Sequence, residues 1–248
     1  MMYKDLRTTD VIAVIPSKSN MDGLITIVKQ LILEKSVKEI RIVADGNTAF
    51  ANINQLLVDN DIPDYCDTLC VMENSGIHKM WNYGAENIKD HHILYINDDV
   101  TIDSGAIDAL AGMLDIHGEL GVICPNYDNR PISDPYQSVS IACPGRYDGT
   151  DGLAGFCFMV SKEQSKDWKF DERMKWYYGD NDIVNWVRLN GKVAAVSGVA
   201  TMQLNPSWTK TNDPPPGFHD ATKNDAQIFE RKWNSDGTLA VEGKDSES

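Results

Sequence analysis

The chain has 248 residues, with 37 Asp and Glu against 23 Lys and Arg, which gives a formal net charge of −14. This length suits one large α/β domain or one domain with a short appendage, and 42% hydrophobic residues is ordinary for a globular protein. The composition excludes a wholly disordered chain, a collagen-like fibre and a coiled coil. The acidity disfavours a protein that coats nucleic acid, because phosphate binding needs a positive surface.

The cysteines and the first ten residues indicate where in the cell the protein is expected. The five cysteines are odd in number and widely spaced, which is typical of free thiols in a cytosolic protein. The first ten residues contain no apolar stretch of signal-peptide length, and the longest apolar runs have about five residues. We therefore expect a soluble protein of the cytoplasm (the host cytoplasm if it is viral) with no membrane partner.

The first half of the chain alternates predicted strands and helices. An apolar run at 11–15, closed by Pro16, is typical of a strand buried on both faces of a parallel sheet. Further strands are predicted at 38–44, 68–72, 92–96 and 120–124, and helices at 21–34, 49–58, 77–88 and 102–117. This alternation predicts a parallel, doubly wound α/β sheet.

The character of the chain changes after residue 124. Residues 125–150 are rich in Pro, Asp, Asn and Gly, with one strand-like stretch at 138–142. Strands are predicted at 152–160 and 192–196, with a helix at 180–189 between them. We expect a domain over 1–205, with halves at about 10–125 and 126–205. An irregular extension follows at 206–248; a final helix is predicted at 220–233, and the last dozen residues are expected to be disordered.

Polar groups follow three of the predicted strands, at 16–18, 45–47 and 97–99. Ligands of open α/β sheets bind outside the carboxyl ends of the strands, so this placement indicates a site. The adjacent carboxylates of Asp98 and Asp99 repel each other unless a cation or water separates them. Mg²⁺ and Mn²⁺ prefer oxygen ligands, usually one or two carboxylates combined with substrate phosphates.

Five segments, in this order, resemble the motifs of family 2-type glycosyltransferases with the GT-A fold. Residues 11–16 are similar to the apolar first strand, 41–48 (RIVADGNT) to IVVDDGSxD, and 74–84 (NSGIHKMWNYG) to NxGxxxAxNxG. Residues 93–100 (ILYINDDV) match the strand leading into the Asp-x-Asp motif, and 170–183, with FDE and YGDNDI, resemble FDExFFxYxEDxDLxxR. The resemblance covers about 11–197, and compact phage-type enzymes have a similar size and layout. It implies a GT-A fold with a single, mostly parallel sheet flanked by helices.

The resemblance also implies a metal-dependent enzyme that moves a sugar from a UDP- or GDP-type donor to an acceptor hydroxyl with inversion. Such a reaction needs a base for the acceptor proton and a cation, here Mn²⁺ or Mg²⁺, for the leaving diphosphate. The nucleotide-sugar half would be 10–125 and the acceptor half 126–205. Asp180 would be the base, and Asp182 would position the acceptor or the base.

The remaining site residues follow from the same resemblance. Asp99, supported by Asp98, would ligate the metal. The donor-binding residues would be Pro16, Ser17, Asp45, Asn47, Lys79, Asn82 and Asp98, and the acceptor-binding residues Trp176, Tyr178 and Gly155. Trp81, within the same helix as Lys79, is expected to belong to the core.

Three positions depart from the family pattern. Asn97 occupies the first position of the Asp-x-Asp motif, and Gly179 stands where the family has Glu. Gln203 and Asn205 lie where the family often has a metal-binding His, so the nearest candidate is His219.

Alternatives stay open. The protein could glycosylate hydroxymethylated bases of DNA, for which a run of basic residues would supply phosphate contacts: Lys162, Lys166, Lys169, Arg173 and Lys175. It could be a catalytically inactive sugar- or nucleotide-binding module. A sugar-1-phosphate nucleotidyltransferase is disfavoured, because the loop after the first strand is not rich in glycine.

Overall fold

The computed structural model describes residues 9–127, 129–132, 135–140, 152–204 and 217–240. Within these ranges the chain forms one nine-stranded sheet with six helices. The strands are β1 (Val11–Ser17), β2 (Val37–Asp45), β3 (Cys66–Val71), β4 (His92–Ile96), β5 (Val100–Ile102), β6 (Leu120–Asn126), β7 (Tyr136–Ser138), β8 (Cys157–Val160) and β9 (Val193–Leu204). The helices are α1 (Met21–Leu31), α2 (Asn47–Asp59), α3 (Ile77–Gly84), α4 (Ala106–Ile116), α5 (Gly179–Leu189) and α6 (Phe218–Lys232).

The strand order is β3-β2-β1-β4-β8-β6-β9-β5, and β7 also pairs with β9. The block from β3 to β4 is parallel, as is the pair β6–β9. β8 lies antiparallel between β4 and β6, and β5 and β7 are antiparallel to β9. The single α/β sheet flanked by helices is confirmed, and its second half is mixed because β8 returns between two strands that run the other way.

The core forms where the apolar runs predicted it. Every residue of β1, β4 and β8 is buried, and α1 buries Leu24, Ile27, Val28 and Leu31. The Trp81 ring is 2% exposed and packs against Tyr95, Phe158 and Phe170, with ring centroids 4.9–5.7 Å apart. Trp81 is therefore a core residue, as expected, and it fixes α3 on the sheet.

The helix predicted at 102–117 is shorter than expected. Val100–Ile102 forms β5 on β9 instead, and α4 begins only at Ala106. The buried Glu34 carboxylate accepts the backbone N–H groups of Gly105, Ile107 and Asp108 at 2.7–3.0 Å. A carboxylate 71 residues before Gly105 in the chain thus caps this helix, which no local pattern reveals.

Other element limits also differ from the prediction. β9 continues to Leu204, eight residues past its predicted end at 196, because β5 and β7 both pair with it. β8 starts at Cys157 and not at 152, and β7 lies at Tyr136–Ser138 in place of 138–142. Residues 141 and 142 lie outside the described residues.

The final helix predicted at 220–233 is confirmed as α6, which contributes Phe229 and Trp233 to a small cluster with Met174. The predicted domain boundary at 205 and most of the last dozen residues lie outside the described part of the chain. None of the described helices is long and apolar enough to cross a membrane. The described cysteines, Cys66, Cys70, Cys124 and Cys157, are free thiols, while Cys143 lies outside.

Candidate functional site

The carboxyl ends of β1, β2 and β4 meet at one edge of the sheet. The Ser17 hydroxyl, at the end of β1, donates to Asp98 Oδ2 at 2.7 Å, just after β4. Lys18 Nζ lies 3.4 Å from Asp45 Oδ2 at the end of β2. The three polar groups predicted from the strand ends are therefore in contact, because neighbouring parallel strands end at the same edge.

Asp98 is held from two sides. Its Oδ2 accepts from Ser17, and its backbone oxygen accepts from Asn20 Nδ2 at 2.8 Å. Burial raises the pKa of Asp98 to about 6, and the nearby charge of Asp99 acts in the same direction. Asn20 is also the N-cap of α1, accepting from Gly23 N at 3.2 Å. Asn20 is not among the predicted site residues, although an Asn directly before a helix pattern is a capping signal.

The oxygen atoms at this edge fit a hard divalent cation. The carboxylates of Asp98 and Asp99 are adjacent, and the buried Oδ1 of Asn97 has no hydrogen-bond partner among the described residues. Within the described ranges no group of three His, Cys, Asp or Glu side chains could hold a metal ion alone. His219 lies exposed in the first turn of α6. This donor set therefore suits a cation whose coordination substrate phosphates complete.

Lys18 forms an ion pair with the buried carboxylate of Asp45. The Asp45 side chain is 3% exposed, and it faces Lys18 Nζ at 3.4 Å and the Ser75 backbone N–H at 3.4 Å. Lys18 Nζ also donates to Asn74 Oδ1 at 2.9 Å, while half of the lysine side chain stays exposed. Asn47 is exposed at the start of α2. The turn after β2 and the loop before α3 thus form one polar wall beside the carboxylates.

Asp180 lies against a glycine at the same edge. A Cβ atom on Gly155 would come within 2.6 Å of Asp180 Oδ2, so the two residues are in contact. Phe156, the next residue, accepts a hydrogen bond through its backbone oxygen from Asn97 N at 2.9 Å. Burial raises the pKa of Asp180 to about 6, although its Oδ1 accepts from Asn181 N at 2.9 Å. A second carboxylate with a raised pKa therefore stands one strand away from Asp98.

The start of α5 explains the glycine that departs from the family pattern. Tyr178, its N-cap, has a left-handed backbone with φ of 68°. A Cβ atom on Gly179 would overlap Nε2 of His78, which is buried and donates through Nδ1 to the Met174 backbone oxygen at 2.7 Å. Burial lowers the pKa of His78, which favours the neutral ring. His78 therefore occupies the space that a longer side chain at 179 would need.

The aromatic residues before Asp180 rest on α6. The Tyr178 ring stacks on Phe229 at 5.1 Å, and the Trp176 ring lies 6.4 Å from Phe218. Both Trp176 and Tyr178 are partly exposed. They border Asp180 along the chain, and their contact with an acceptor stays a prediction.

Three predicted site residues are engaged elsewhere. Asp182 is fully buried, and it accepts from Trp233 Nε1 at 2.7 Å and Lys232 Nζ at 2.8 Å, on the face of α5 opposite Asp180. Asn82 Nδ2 donates to the Phe170 backbone oxygen, and Asn82 Oδ1 accepts from the Phe170 backbone N–H, each at 2.9 Å. Lys79 is exposed and lines a groove with Lys166 and Lys169.

Several of the basic residues at 162–175 are paired with carboxylates. Lys162 lies 3.6 Å from Asp115, Lys166 lies 2.8 Å from Asp90, and Arg173 lies 2.6 Å from Asp171. Local carboxylates thus offset much of the positive charge of the run.

No family model and no curated protein matches this chain. Solved structures do match it. A crystal structure of S. aureus TarS 1-349 is 14% identical with a TM-score of 0.60, and the match covers 79% of this chain and 61% of that one. The same TarS segment in complex with UDP is 13% identical, with a TM-score of 0.58 and the same coverage. GalNAc-T7 with UDP, GalNAc and Mn²⁺ is 12% identical with a TM-score of 0.69, over 92% of this chain and 50% of that one.

The fold of this chain is therefore the GT-A fold of glycosyltransferases. The chain spans about three fifths of the TarS segment and half of the GalNAc-T7 chain.

Proposed function

We propose that this protein is a glycosyltransferase that transfers a sugar from a nucleotide-sugar donor to an acceptor hydroxyl with inversion. One observation carries the proposal. Asp180, a carboxylate whose pKa is raised to about 6, lies against Gly155 at the sheet edge where Asp98 and Asp45 also stand. A base beside carboxylates that can hold a cation for the diphosphate leaving group is what sugar transfer requires.

The donor would lie along the polar wall formed by β1, β2 and the loop before α3. Asp45 would accept hydrogen bonds from the base or ribose, as the family resemblance implies. Lys18, half-exposed beside Asp45, would face the diphosphate. Two similar structures, TarS in complex with UDP and GalNAc-T7 with UDP and GalNAc, make UDP-sugars the first donors to test.

A divalent cation fits the acidic edge. Asp99 and Asp98 would hold Mn²⁺ or Mg²⁺, and the ion would supply positive charge against the diphosphate leaving group. The cation would also reduce the repulsion between the two adjacent carboxylates.

The chemical step assigned to this chain is proton transfer at Asp180. Its carboxylate would accept the proton of the acceptor hydroxyl while that oxygen bonds to the anomeric carbon. The bond from the anomeric carbon to the diphosphate oxygen would break on the opposite face, releasing the nucleoside diphosphate. A carboxylate with a pKa near 6 is ionised at neutral pH yet more basic than an ordinary one, which suits a general base. Trp176 and Tyr178 would border the acceptor, since aromatic rings pack on the apolar faces of sugars.

The test is release of nucleoside diphosphate from a panel of UDP- and GDP-sugars with Mn²⁺ or Mg²⁺. Glycans and hydroxymethylated DNA are supplied as acceptors in parallel arms. We expect Asp180→Asn to lower kcat by roughly a thousandfold or more, because the base is lost. Asp115→Asn is the matched control, since Asp115 is partly buried but binds Thr9 and His92 at the other edge of the sheet. Equal inertness of wild type and Asp180→Asn across the panel would favour a binding module instead.

A further inference from the structure

α6 makes buried polar contacts with the chain that leads into Asp180. Asp225, in the middle of α6, is 0% exposed. Its Oδ1 accepts the backbone N–H of Lys175 at 2.9 Å, and its Oδ2 accepts those of Trp176 and Tyr177 at 2.8 and 3.1 Å. One carboxylate thus satisfies three consecutive backbone donors of a loop that forms no regular structure of its own.

A second set of contacts joins the end of α6 to α5. Lys232 and Trp233 both donate to the buried Asp182, at 2.8 and 2.7 Å. The Phe229 ring stacks on Tyr178 with an interplanar angle of 24°. The segment formed by α6 and Trp233 therefore contacts residues 175–178, before Asp180, and Asp182, after it.

The segment before Asp180 contains one residue, Tyr178, with an unfavourable backbone conformation. A bulky residue such as Tyr178 with φ of 68° costs about 1–2 kcal/mol, so surrounding contacts must maintain it. This left-handed turn starts α5 abruptly, which places Gly179 against His78 and Asp180 against Gly155. The contacts of α6 with residues 175–178 lie directly before and at this turn.

The same loop is tied to the donor side of the site. The Ile77 N–H donates to the Lys175 backbone oxygen at 2.8 Å, and His78 donates to Met174. Ser75, two residues before Ile77, is the residue whose N–H faces Asp45. Hydrogen bonds and the short backbone segment 75–77 therefore connect Asp45 to the loop and to Asp225.

We infer that α6 is a strap that fixes the position of the proposed base, and that Asp225 is the positioning residue through which it acts. This inference rests on the proposed function for its catalytic part only. Asp225 touches neither Asp180 nor any residue at the strand ends, and it acts through the backbone of residues 175–177.

The test compares wild type with Asp225→Asn in the full chain, by amide hydrogen exchange at residues 175–177 and by donor hydrolysis in water. Asn replaces one carboxylate oxygen with an NH₂ group, which cannot accept a hydrogen bond from a backbone N–H. We therefore expect hydrogen exchange of these amides to become about tenfold faster or more. For the best donor of the panel, kcat should fall about tenfold or more, with KM changed less than about twofold. Asp220→Asn, which removes the same charge from an exposed position on α6, should change neither readout.

A second variant guards against misfolding. Phe229→Leu keeps an apolar side chain and removes the ring that stacks on Tyr178, and it should lower kcat in the same direction with smaller effect. Unchanged exchange at 175–177 in Asp225→Asn would overturn the strap. Quickened exchange with unchanged kcat would overturn the positioning of Asp180. If the wild type turns over no donor, the proposed function fails, and the exchange data still decide whether Asp225 holds the loop.

Discussion

At the scale of single residues, the role proposed for Asp180 as a base carries a cost in stability. Its pKa in the folded protein is about 6, above the ordinary value of 3.8, so the folded state binds the proton more tightly than the unfolded state. Stability therefore falls as pH rises from about 4 to 6, and above that range the charged carboxylate is a fixed penalty. Proteins commonly carry such penalties at functional sites.

We predict that Asp180→Asn is more stable than wild type at neutral pH. Two pKa units correspond to about 3 kcal/mol, which partial exposure of the carboxylate reduces to about 1–3 kcal/mol. Urea unfolding at about pH 7.5 measures the gain, and at about pH 4 the two proteins should unfold alike. A variant less stable than wild type at neutral pH would show that the carboxylate is a structural group.

The pH dependence of turnover should report the same group. We expect kcat/KM to be flat above about pH 6 and to fall by about tenfold per pH unit below it, because protonated Asp180 cannot accept the acceptor proton. The circular dichroism spectrum recorded at each pH serves as the control for folding. A profile that stays flat down to about pH 4 would argue against Asp180 as the base.

Gly155 gives a steric test of the same contact. A Cβ atom there would lie 2.6 Å from Asp180 Oδ2, so Gly155→Ala must displace the carboxylate. We expect kcat to fall by about a hundredfold with little change in UDP affinity, since misplacement of a reacting group by about 1 Å has effects of this size. Gly152→Ala is the matched control, because an added Cβ there meets no atom of the described residues within 4 Å. Equal loss of activity in both variants would show that the contact between Gly155 and Asp180 does not matter for turnover.

At the scale of elements, the buried ion pair between α5 and α6 decides how firmly the C-terminal helix is attached. Asp182 is fully buried, and burial raises its pKa although Lys232 opposes the shift. Removing one partner of a buried pair leaves an uncompensated charge, whereas an exposed pair contributes little.

We predict that Lys232→Met destabilises the protein by about 3 kcal/mol at neutral pH. The loss should shrink as pH falls, because protonation of Asp182 removes the unpaired charge. Thermal unfolding of Lys223→Met, an exposed position on the same helix, provides the comparison. If both variants lose the same small amount, α6 is held by its apolar contacts alone.

At the scale of the whole molecule, the proposed cation site is separate from the core. The oxygen atoms of Asp98 and Asp99 stand at the sheet edge, while the continuous core extends through β1, β4, β6 and β8. The net charge of −14 also opposes the approach of a polyphosphate unless a cation is present locally.

We predict that chelation of divalent cations weakens UDP binding by about tenfold or more and shifts Tm by less than about 2 °C. Calorimetric titration with UDP before and after restoring Mn²⁺ measures the first effect, and a thermal melt measures the second. Asp99→Asn should bind UDP equally with and without Mn²⁺. A large fall of Tm on chelation would identify a structural metal instead.

Much of the fold could be predicted from sequence because its signals are local. The apolar run before Pro16 and each strand and helix up to residue 124 are predicted from hydrophobic periodicity within a short window. The Asn-Asp-Asp group is recognised from its position directly after β4. The place of β8 and the late start of α4 could not be predicted. They depend on pairing with β4 and on capping by Glu34, both remote in the chain.

The sequence by itself determined the α/β sheet, the strand ends that carry Asp45, Asp98 and Asp99, and the segment around Asp180. Only the tertiary structure decided which carboxylates face the site. Asp180 and Asp182 are two residues apart, yet one lies against Gly155 and the other is buried under Lys232 and Trp233. The reason is geometric: residues two apart point to opposite sides of a helix, and what covers each side comes from distant parts of the chain. Asp225 shows the same limit, because its role exists only where α6 meets the loop.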